Sequence, residues 1–385
     1  MKRYLMKGSK FVLTVLIIWR VGLLFFQYVG IQILSISGNF LGGGIGAYSN
    51  SPFLWSWANF DGEHYISIAR WGYRPLEHFF YPLYPYLIKL FANILGNMLP
   101  SFVISGLMIS HGAVILGLIG LYKLIVKDYT HAVAKLTIVI ILVFPSSFYL
   151  VSVYTEALFL CLVIWCFYFV RTGKFFVAGL VAAAAVATRS VGLVLIPALI
   201  VDVFLQKKAM NLKNAKRFLF ISFAFIGLAW YMQILHQTTG SYFGFNESGE
   251  IYGEYRSGGF TILPQVFYRY YFKILPYLNY NNVILALPSL LELITAVLVS
   301  TMSIVGILKL RLSYLIYLWG AFLLPASFLN FNSQLRFAIV LFPMFIVAAQ
   351  LLVLSKKTIK IGVIATSIAL LVLTTMMFVR GYWIA

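Results

Sequence analysis

The sequence predicts an all-α protein that crosses a membrane many times. Of its 385 residues, 62% are hydrophobic and only 10% are charged, whereas soluble chains carry about 25% charged residues. The apolar residues form long runs separated by short clusters of lysine and arginine, and a helix needs about 20 apolar residues to span a bilayer. This composition excludes a soluble globular enzyme, a disordered chain, a coiled coil and a collagen-like fibre.

The first helix is predicted from the apolar run 11–31, which follows the basic residues Lys2, Arg3, Lys7 and Lys10. The run is too long for the apolar core of a secretory signal, and no small-residue cleavage site ends it. We therefore predict a transmembrane helix that is retained. Its N-terminus is expected in the cytoplasm, because basic residues stay on that side.

Ten further apolar runs bring the predicted number of transmembrane helices to about eleven. They lie at 101–122, 136–152, 155–170, 175–188, 191–206, 218–236, 283–308, 313–329, 337–354 and 361–379. With the N-terminus inside, the basic connections all fall on the cytoplasmic side and most acidic residues on the outer side. Residues 1–385 are thus predicted to form one integral-membrane domain with its C-terminus outside. The net charge of +19 then reflects topology and contacts with membrane lipids, and we expect no nucleic-acid partner.

Two predicted outer segments, residues 32–100 and 237–282, are too long for simple turns. The first includes the apolar run 79–99, which carries two prolines and Lys89, so we predict interfacial or re-entrant helices there. The second combines acidic residues with tyrosines, namely Glu247, Glu250, Glu254, Tyr268, Tyr270, Tyr271, Tyr277 and Tyr280. This composition suits either sugar stacking or an aromatic belt at the membrane interface.

The runs 175–188 and 191–206 are short and are separated by Arg189 and Ser190. One continuous helix would be far longer than the ~30 Å hydrocarbon core and would place an arginine near its centre. We therefore predict a helical hairpin with Arg189 at its tip, below the outer surface. Non-helical backbone at that depth is tolerated only beside protein or water, so a water-filled cavity is expected there.

Asp61 stands out among the polar residues of the first outer segment. We predict a helix from Asp61 onward, with Asn59 or Asp61 as its N-cap and Tyr65 on one face. A carboxylate at a helix N-terminus is held ionised by the helix dipole and by backbone N–H groups, which suits a base. The alternative is a plain cap beside an aromatic belt.

Several blocks of sequence combine charged residues with aromatic residues and prolines. In chain order they are Asp61-Gly62-Glu63-His64-Tyr65 with Ile68-Ala69 and Gly72-Tyr73, Phe79-Phe80-Tyr81-Pro82-Leu83-Tyr84-Pro85, Phe144-Pro145-Ser146-Ser147-Phe148, Tyr154-Thr155-Glu156-Ala157-Leu158-Phe159, Ala187-Thr188-Arg189-Ser190-Val191-Gly192, and Arg336-Phe337 with Phe342-Pro343. Their order along residues 15–350 resembles the GPI mannosyltransferase 2 (PIG-V) family and its prokaryotic relatives. The sequence departs from that pattern at Tyr81, where phenylalanine is expected, and at Ser190, where proline is commoner.

The resemblance implies a membrane glycosyltransferase of the GT-C type, with mannose as the expected sugar. Such an enzyme takes the sugar from a polyprenyl- or dolichyl-phosphate donor. The sugar passes to a hydroxyl of a glycolipid, glycan or protein acceptor on the extracytoplasmic side. The resemblance also implies that an acidic residue in the first outer loop is essential, and Asp61 matches that position. The compact length favours a prokaryotic plasma membrane.

The resemblance further implies a reaction that needs no metal ion, and we expect no cofactor beyond the donor substrate. Asp61, Glu63 and His64 lie within one turn, and no second set of metal ligands is visible in the sequence. The triplet Gly42-Gly43-Gly44 lacks the Lys-Ser/Thr of a phosphate-binding loop, so we predict a flexible loop there.

Such a transfer breaks the anomeric C–O bond through an oxocarbenium-like state. The leaving phosphomonoester needs positive charge, which Arg189 and Arg336 can supply because arginine stays charged and binds bidentately. The acceptor hydroxyl must lose a proton, so one carboxylate base suffices, and we assign it to Asp61. Alternatively, Arg189 pairs with Glu156 for structure alone, and Arg336 is an interfacial anchor.

Further candidates for substrate binding are Glu63, His64, Tyr65, Arg70, His78, Tyr81 and Glu156. Glu63 can instead lie on a solvated helix face. His64 can hydrogen-bond Asp61 or the acceptor, or be a satisfied interfacial histidine, and His78 and Tyr81 can line the site or belong to the aromatic belt. Arg20, in the middle of the first helix, must face the bundle interior, since an unpaired charge in lipid is costly; structural pairing and a role at the donor both stay open. Cys161 and Cys166 point about 140° apart on a helix, which argues against a disulfide or a metal pair.

A transporter or lipid flippase is the alternative function. It is less well supported because the sequence shows no inverted repeat and no paired broken helices in two halves. The ionisable residues also gather at one face and do not line a path across the membrane.

Overall fold

The computed structural model describes residues 2–37, 40–206, 212–245, 261–327 and 330–384, and these contain helices and turns but no strand. The α-helices, numbered in chain order, are α1 (Lys2–Ile33), α2 (Gly44–Asn50), α3 (Pro52–Trp55), α4 (Asp61–Trp71), α5 (Leu83–Ile94), α6 (Leu99–Ile125), α7 (His131–Val143), α8 (Glu156–Arg171), α9 (Phe175–Val186), α10 (Leu195–Phe204), α11 (Leu212–Ser222), α12 (Ala224–Thr239), α13 (Leu263–Arg269), α14 (Val283–Lys309), α15 (Leu312–Ala326), α16 (Gln334–Ala338), α17 (Phe342–Leu354) and α18 (Lys357–Val379). The predicted all-α class is confirmed.

Five helical segments of the described chain are long and apolar enough to cross a membrane. They are Gly8–Ile33, Leu99–Ile125, Lys216–Thr239, Val283–Lys309 and Lys357–Val379. Shorter apolar helices are His131–Val143, Phe175–Val186, Ser190–Phe204, Leu312–Ala326 and Phe342–Leu354. Every one of the eleven predicted runs contains a helix, but how many of them cross the membrane stays a prediction.

Helix α8 lies in the middle of the bundle, where it packs against α6, α9 and α10. Most of its apolar side chains are buried, while Leu158, Leu162, Trp165 and Phe169 form a partly exposed stripe along one face. Charged residues mark its two ends, since Glu156 is its first residue and Arg171 its last. At ~1.5 Å per residue these ends are about 24 Å apart.

Glycines allow α9, α11 and α12 to approach closely. A Cβ atom on Gly179 would lie 1.9 Å from the carbonyl oxygen of Phe220, and one on Gly227 would lie 2.0 Å from that of Ala183. Small residues permit this backbone contact between membrane helices. The packing holds α12 beside α9, and the C-terminal half of α12 then reaches the first outer segment.

The chain breaks between α9 and α10 at Arg189, as predicted. Gly192 lies directly against Ala185 and Val186 at the end of α9, so the chain doubles back there. The break also contacts the first outer segment, because the Leu83 N–H donates to the Ala187 carbonyl over 2.9 Å.

The predicted helix from Asp61 is present as α4, but the predicted cap is wrong. The N-cap residue is Phe60, with a φ of 57°. Asn59 does not cap α4, because its amide oxygen accepts from the Gly42 N–H over 2.9 Å and its amide nitrogen donates to the Phe378 carbonyl over 2.8 Å. These bonds tie the first outer segment to α18.

The glycine triplet has a packing role that was not predicted. A Cβ on Gly42 would lie 2.4 Å from the Trp55 carbonyl oxygen, and one on Gly43 would lie 2.7 Å from the Trp55 ring. Gly43 and Gly44 also have positive φ angles, which glycine adopts without strain. The close fit around Trp55, and not only flexibility, explains why glycines occur here.

The second predicted outer segment is described only in part. Residues 261–282 form α13, a π-helical turn at Tyr270–Ile274 and a 3-10 turn at Leu275–Tyr277. The predicted acidic residues Glu247, Glu250 and Glu254 lie outside the described residues.

Candidate functional site

Four charged residues from four separate segments form one ion-pair network. Asp61 accepts a hydrogen bond from Arg336 Nη1 over 2.5 Å. Arg336 Nε lies 3.5 Å from Glu156 Oε1, and the same oxygen lies 2.5 Å from Arg189 Nη1. Two carboxylates thus balance two guanidinium groups, which is the condition under which charges can be buried together.

The members of this network differ in exposure. The Glu156 side chain is 1% exposed, that of Arg336 9%, that of Arg189 13% and that of Asp61 21%. Asp61 is therefore the member that a substrate reaches most easily. Glu156, which contacts both arginines, is a buried centre that holds them together.

Aromatic rings enclose the two arginines. The guanidinium carbon of Arg336 lies 5.1 Å from the ring centre of Phe337 and 5.5 Å from that of Tyr154, and Arg189 lies 4.9 Å from Phe337. Such cation–π contacts fix the planes of the guanidinium groups. Burial opposes the charge of Arg336, but Asp61 and Glu156 more than offset it, so the pKa of Arg336 is raised.

Glu292 of α14 holds the start of α16, the helix that carries Arg336. Its carboxylate accepts from the Ser333 N–H over 3.1 Å and from the Tyr270 hydroxyl over 2.7 Å. Ser333 has a φ of 64°, which is uncommon for a residue other than glycine. Sequence reasoning missed this role, although a lone acidic residue in a long apolar helix is itself a signal of function.

His64 does not hydrogen-bond Asp61, which was one of its predicted alternatives. Its Nδ1 lies 3.9 Å from Glu77 Oε1, and its ring stacks on Phe80 with centres 5.0 Å apart. Burial opposes the imidazolium, but the contact with Glu77 and the charges of Asp61, Glu77 and Glu63 together raise the pKa of His64. Burial likewise opposes the charge of Glu77, yet His64, Ser67 and Arg74 lower its pKa.

Glu63, His64 and Arg70 line an open cleft of about 460 Å³, called here the α4 cleft. It is lined by Gly43, Trp55, Glu63, His64, Ile66, Ser67, Arg70, Trp71, Arg74, Glu77 and Leu99. Burial raises the pKa of Glu63, while the nearby backbone of Gly44, the charge of His64 and the backbone of Gly43 act in the opposite direction. Asp61 is not part of the lining, so the predicted binding residues divide between two places.

Tyr65, His78 and Tyr81 contact other helices. The Tyr65 hydroxyl lies 3.4 Å from Thr155 Oγ1, which also accepts from Arg189. His78 Nε2 lies 3.1 Å from Thr238 Oγ1 of α12. The Tyr81 ring stacks on another ring of α12, that of Tyr231, with centres 4.0 Å apart.

The two departures from the family pattern, Tyr81 and Ser190, lie close enough for their side chains to interact.

Arg20 faces the bundle interior, as predicted. Its Nε donates to His111 Nε2 over 3.0 Å, and its guanidinium carbon lies 4.6 Å from the Trp57 ring centre. Within the described chain no carboxylate pairs with it. The structure thus favours neutral and aromatic partners, and a role at the donor stays open.

Across the described residues, no three His, Cys, Asp or Glu side chains form a group that could hold a metal ion. Cys161 and Cys166 are buried free thiols on α8. Whether the reaction needs a metal stays a prediction from the resemblance.

Comparison with known proteins agrees with the sequence blocks. A family model described as mannosyltransferase (PIG-V) matches residues 32–247, which is more than half of the chain. The match includes Asp61, Glu156 and Arg189, whereas Arg336 lies beyond it. A search of curated proteins found no match.

Proposed function

The chain belongs to the PIG-V mannosyltransferase family, and we propose that it transfers mannose from a polyprenyl-phosphate donor to an acceptor hydroxyl outside the cytoplasm. The family and the apolar helices make it a multi-pass membrane mannosyltransferase. The donor, the side of the membrane and the roles of individual residues are the proposed parts. A prokaryotic plasma membrane is the proposed location.

Asp61 is proposed as the base. The bond between the anomeric carbon and the phosphate oxygen breaks, and the acceptor oxygen bonds to that carbon with inversion. The acceptor proton passes to Asp61, and the electron pair leaves on the lipid phosphate. Asp61 suits this role because it is the most exposed carboxylate of the network and lies in the first turn of α4.

Arg189 is proposed to hold the donor phosphate, with Arg336 as a second cation. Both hydrogen bonds of Arg189, to Glu156 and Thr155, come from Nη1. In the described chain its Nε and Nη2 have no hydrogen-bond partner, so these two nitrogens can face two phosphate oxygens. Glu156 then serves as the buried counter-ion that orients the guanidinium group of Arg189.

The single observation that carries the proposal is the network itself. Asp61, Glu156, Arg189 and Arg336 come from widely separated positions, yet they meet within a few ångströms. Buried ion pairs contribute little to stability compared with apolar packing, whereas ionisable residues in a membrane protein mark functional sites.

The experiment is a transfer assay with purified protein and radiolabelled polyprenyl-phosphate mannose. We expect free polyprenyl phosphate and a mannosylated product, which the Asp61→Asn variant does not form. Movement of intact donor across a vesicle membrane without cleavage would favour the flippase alternative and contradict the proposal.

A further inference from the structure

We propose that the α4 cleft binds a neutral sugar ring of the acceptor, while the donor phosphate is held at the ion-pair network. This inference rests on the proposed function, because it assigns the second substrate of the same reaction. Helix α4 contributes to both places, with Asp61 in the network and Glu63, His64 and Arg70 in the lining of the cleft. The volume of about 460 Å³ lies within the range of about 300–1,000 Å³ that is typical of small-molecule sites.

The polar groups of the cleft suit vicinal hydroxyls. Glu63 and Glu77 supply carboxylate oxygens that accept hydrogen bonds, and Arg70 supplies donors. The Glu77 carboxylate is already fixed in place by the Arg74 N–H over 3.0 Å, and Glu63 lies beside the backbone of Gly43 and Gly44. Fixed acceptors reduce the ordering cost of binding a polyol.

Aromatic rings provide the apolar contact that the C–H face of a pyranose needs. Trp71 is 64% exposed, and the guanidinium carbon of Arg70 lies 4.5 Å from its ring centre. The Arg70 guanidinium covers one face of the Trp71 indole, which leaves the other face open for a sugar ring. Trp55 is buried and forms the floor under Gly43.

The charge of the cleft argues against the lipid phosphate as its ligand. Arg74 is already engaged by Glu77 and Ser67. Glu63 and Glu77 line the same space as Arg70 and Arg74, so the carboxylates offset the positive charge of the arginines that a phosphate dianion would need. A neutral polyol meets no such repulsion.

The position of the cleft on α4 fits an acceptor. At ~100° per residue, Glu63 and Arg70 lie about 180–200° around the helix from Asp61, and His64 only about 60°. His64 lines the cleft and its charge interacts with that of Asp61. Because Glu63 and Arg70 lie on the face of α4 opposite Asp61, the proposal requires an acceptor of more than one sugar, with one ring in the cleft and the terminal hydroxyl beyond His64 at Asp61.

The test is saturation-transfer NMR with methyl α-D-mannopyranoside and methyl β-D-glucopyranoside, on full-length protein in nanodiscs free of sugar detergents. We expect ring-proton signals with wild type and a fall in affinity of roughly tenfold with Trp71→Ala and with Glu63→Gln. Phe53→Ala, which removes an aromatic residue that is 51% exposed and does not line the cleft, should keep the wild-type signal.

The assay needs no turnover, so its result is independent of whether transfer activity is found. Absence of any glycoside signal with wild type, or equal signals in wild type, Trp71→Ala and Glu63→Gln, would overturn the inference. Binding of inorganic phosphate that is lost in Arg70→Gln, with no glycoside binding, would make the cleft an anion site and overturn it too.

Discussion

The carboxylate of Asp61 has two roles, because it is the proposed base and also the counter-ion of a buried arginine. Arg336 is almost fully buried, and Asp61 lies 2.5 Å from one of its nitrogens. Loss of this charge leaves Glu156, 3.5 Å from Arg336 Nε, as the remaining counter-ion. A variant at this position therefore changes stability as well as turnover, which the sequence alone did not indicate.

Asp61→Asn should reduce turnover by roughly 10²–10⁴-fold, because an amide cannot accept the acceptor proton. It should also lower the melting temperature, because part of the charge that balances Arg336 is gone. The measurement is turnover per folded protein at a temperature well below melting, alongside the melting curve. Wild-type turnover in the folded variant would refute the assignment.

The matched control is Asp202→Asn. Asp202 is a buried carboxylate 2.8 Å from Arg311, and its removal breaks a comparable ion pair outside the proposed site. It should lower the melting temperature while turnover of the folded protein stays near wild type. If both variants lose activity only as they lose folded protein, Asp61 is a structural counter-ion.

The variant Arg189→Lys tests whether Arg189 holds the donor phosphate. Lysine keeps the charge but loses the planar fork, so it cannot bind two phosphate oxygens bidentately while it pairs with Glu156. Loss of one charge-assisted hydrogen bond should raise the KM for the donor by roughly tenfold, with a smaller change in melting temperature. If Arg189 only pairs with Glu156, then Arg189→Lys and Glu156→Gln should destabilise equally and leave the donor KM unchanged.

His64→Gln tests the pair of His64 with Glu77 through pH. The folded-state pKa of His64 is raised and that of Glu77 lowered. The stability from His64 is thus fully present below its unfolded pKa of ~6.5 and is lost as pH rises through the folded value. The melting temperature of His64→Gln should fall below wild type at about pH 6 and converge with it near pH 9. If the difference in melting temperature between wild type and His64→Gln is the same at every pH, packing on Phe80, and not charge, stabilises the imidazole.

The short helix α16 depends on a contact outside itself. It has only five residues, too few to form alone, and its start is held by Glu292 through Ser333. Tyr270 donates to the same carboxylate, so the second outer segment, through Glu292, helps to position Arg336. Glu292 is therefore a positioning residue in this structure.

Glu292→Ala should lower kcat more than it raises the KM for the donor, because the Ser333 N–H loses its acceptor and the angle of α16 relaxes. Each buried group left without a partner costs about 1–3 kcal/mol. Glu292→Gln should restore kcat, since the amide can accept from Ser333 and donate to Tyr270. Equal losses of kcat in both variants, or a change in melting temperature alone, would contradict the positioning role.

The sequence predicted the elements better than their contacts. Apolar runs and basic clusters are local signals, and they gave the helices and the break at Arg189. The cap of α4 was mispredicted because Asn59 bonds to Phe378, a residue more than 300 positions away. The pairing of Asp61 with Arg336 is equally long-range, and no spacing rule in a single sequence reveals it.

At the scale of the whole molecule, charged side chains form networks at both ends of α8. One end has the network of Asp61, Glu156, Arg189 and Arg336. At the other end Arg171 donates to both oxygens of Asp128 over 2.6 and 2.7 Å, and Arg311 lies 2.8 Å from Asp202 and 3.8 Å from Asp128.

The two networks match the two predicted sides of the membrane, the first the outer side and the second the cytoplasmic side. Every member of the first comes from the first outer segment or from the predicted outer end of a helical run, and every member of the second from near a connection predicted inside. Helix α8 separates them by about 24 Å, close to the ~30 Å thickness of a hydrocarbon core. Which end faces the cytoplasm is a separate prediction.

That orientation follows from the basic clusters, which should stay in the cytoplasm. In intact cells an impermeant thiol reagent should modify cysteine at Ile45 and at Tyr277, which are 63% and 83% exposed and lie in the predicted outer segments. It should not modify cysteine at Lys174, in the turn after Arg171, until the membrane is permeabilised. The native Cys161 and Cys166 are buried, so their background labelling should be low. Labelling of Lys174→Cys in intact cells would invert the orientation and put Asp61 on the cytoplasmic side, where the proposed extracytoplasmic transfer cannot take place.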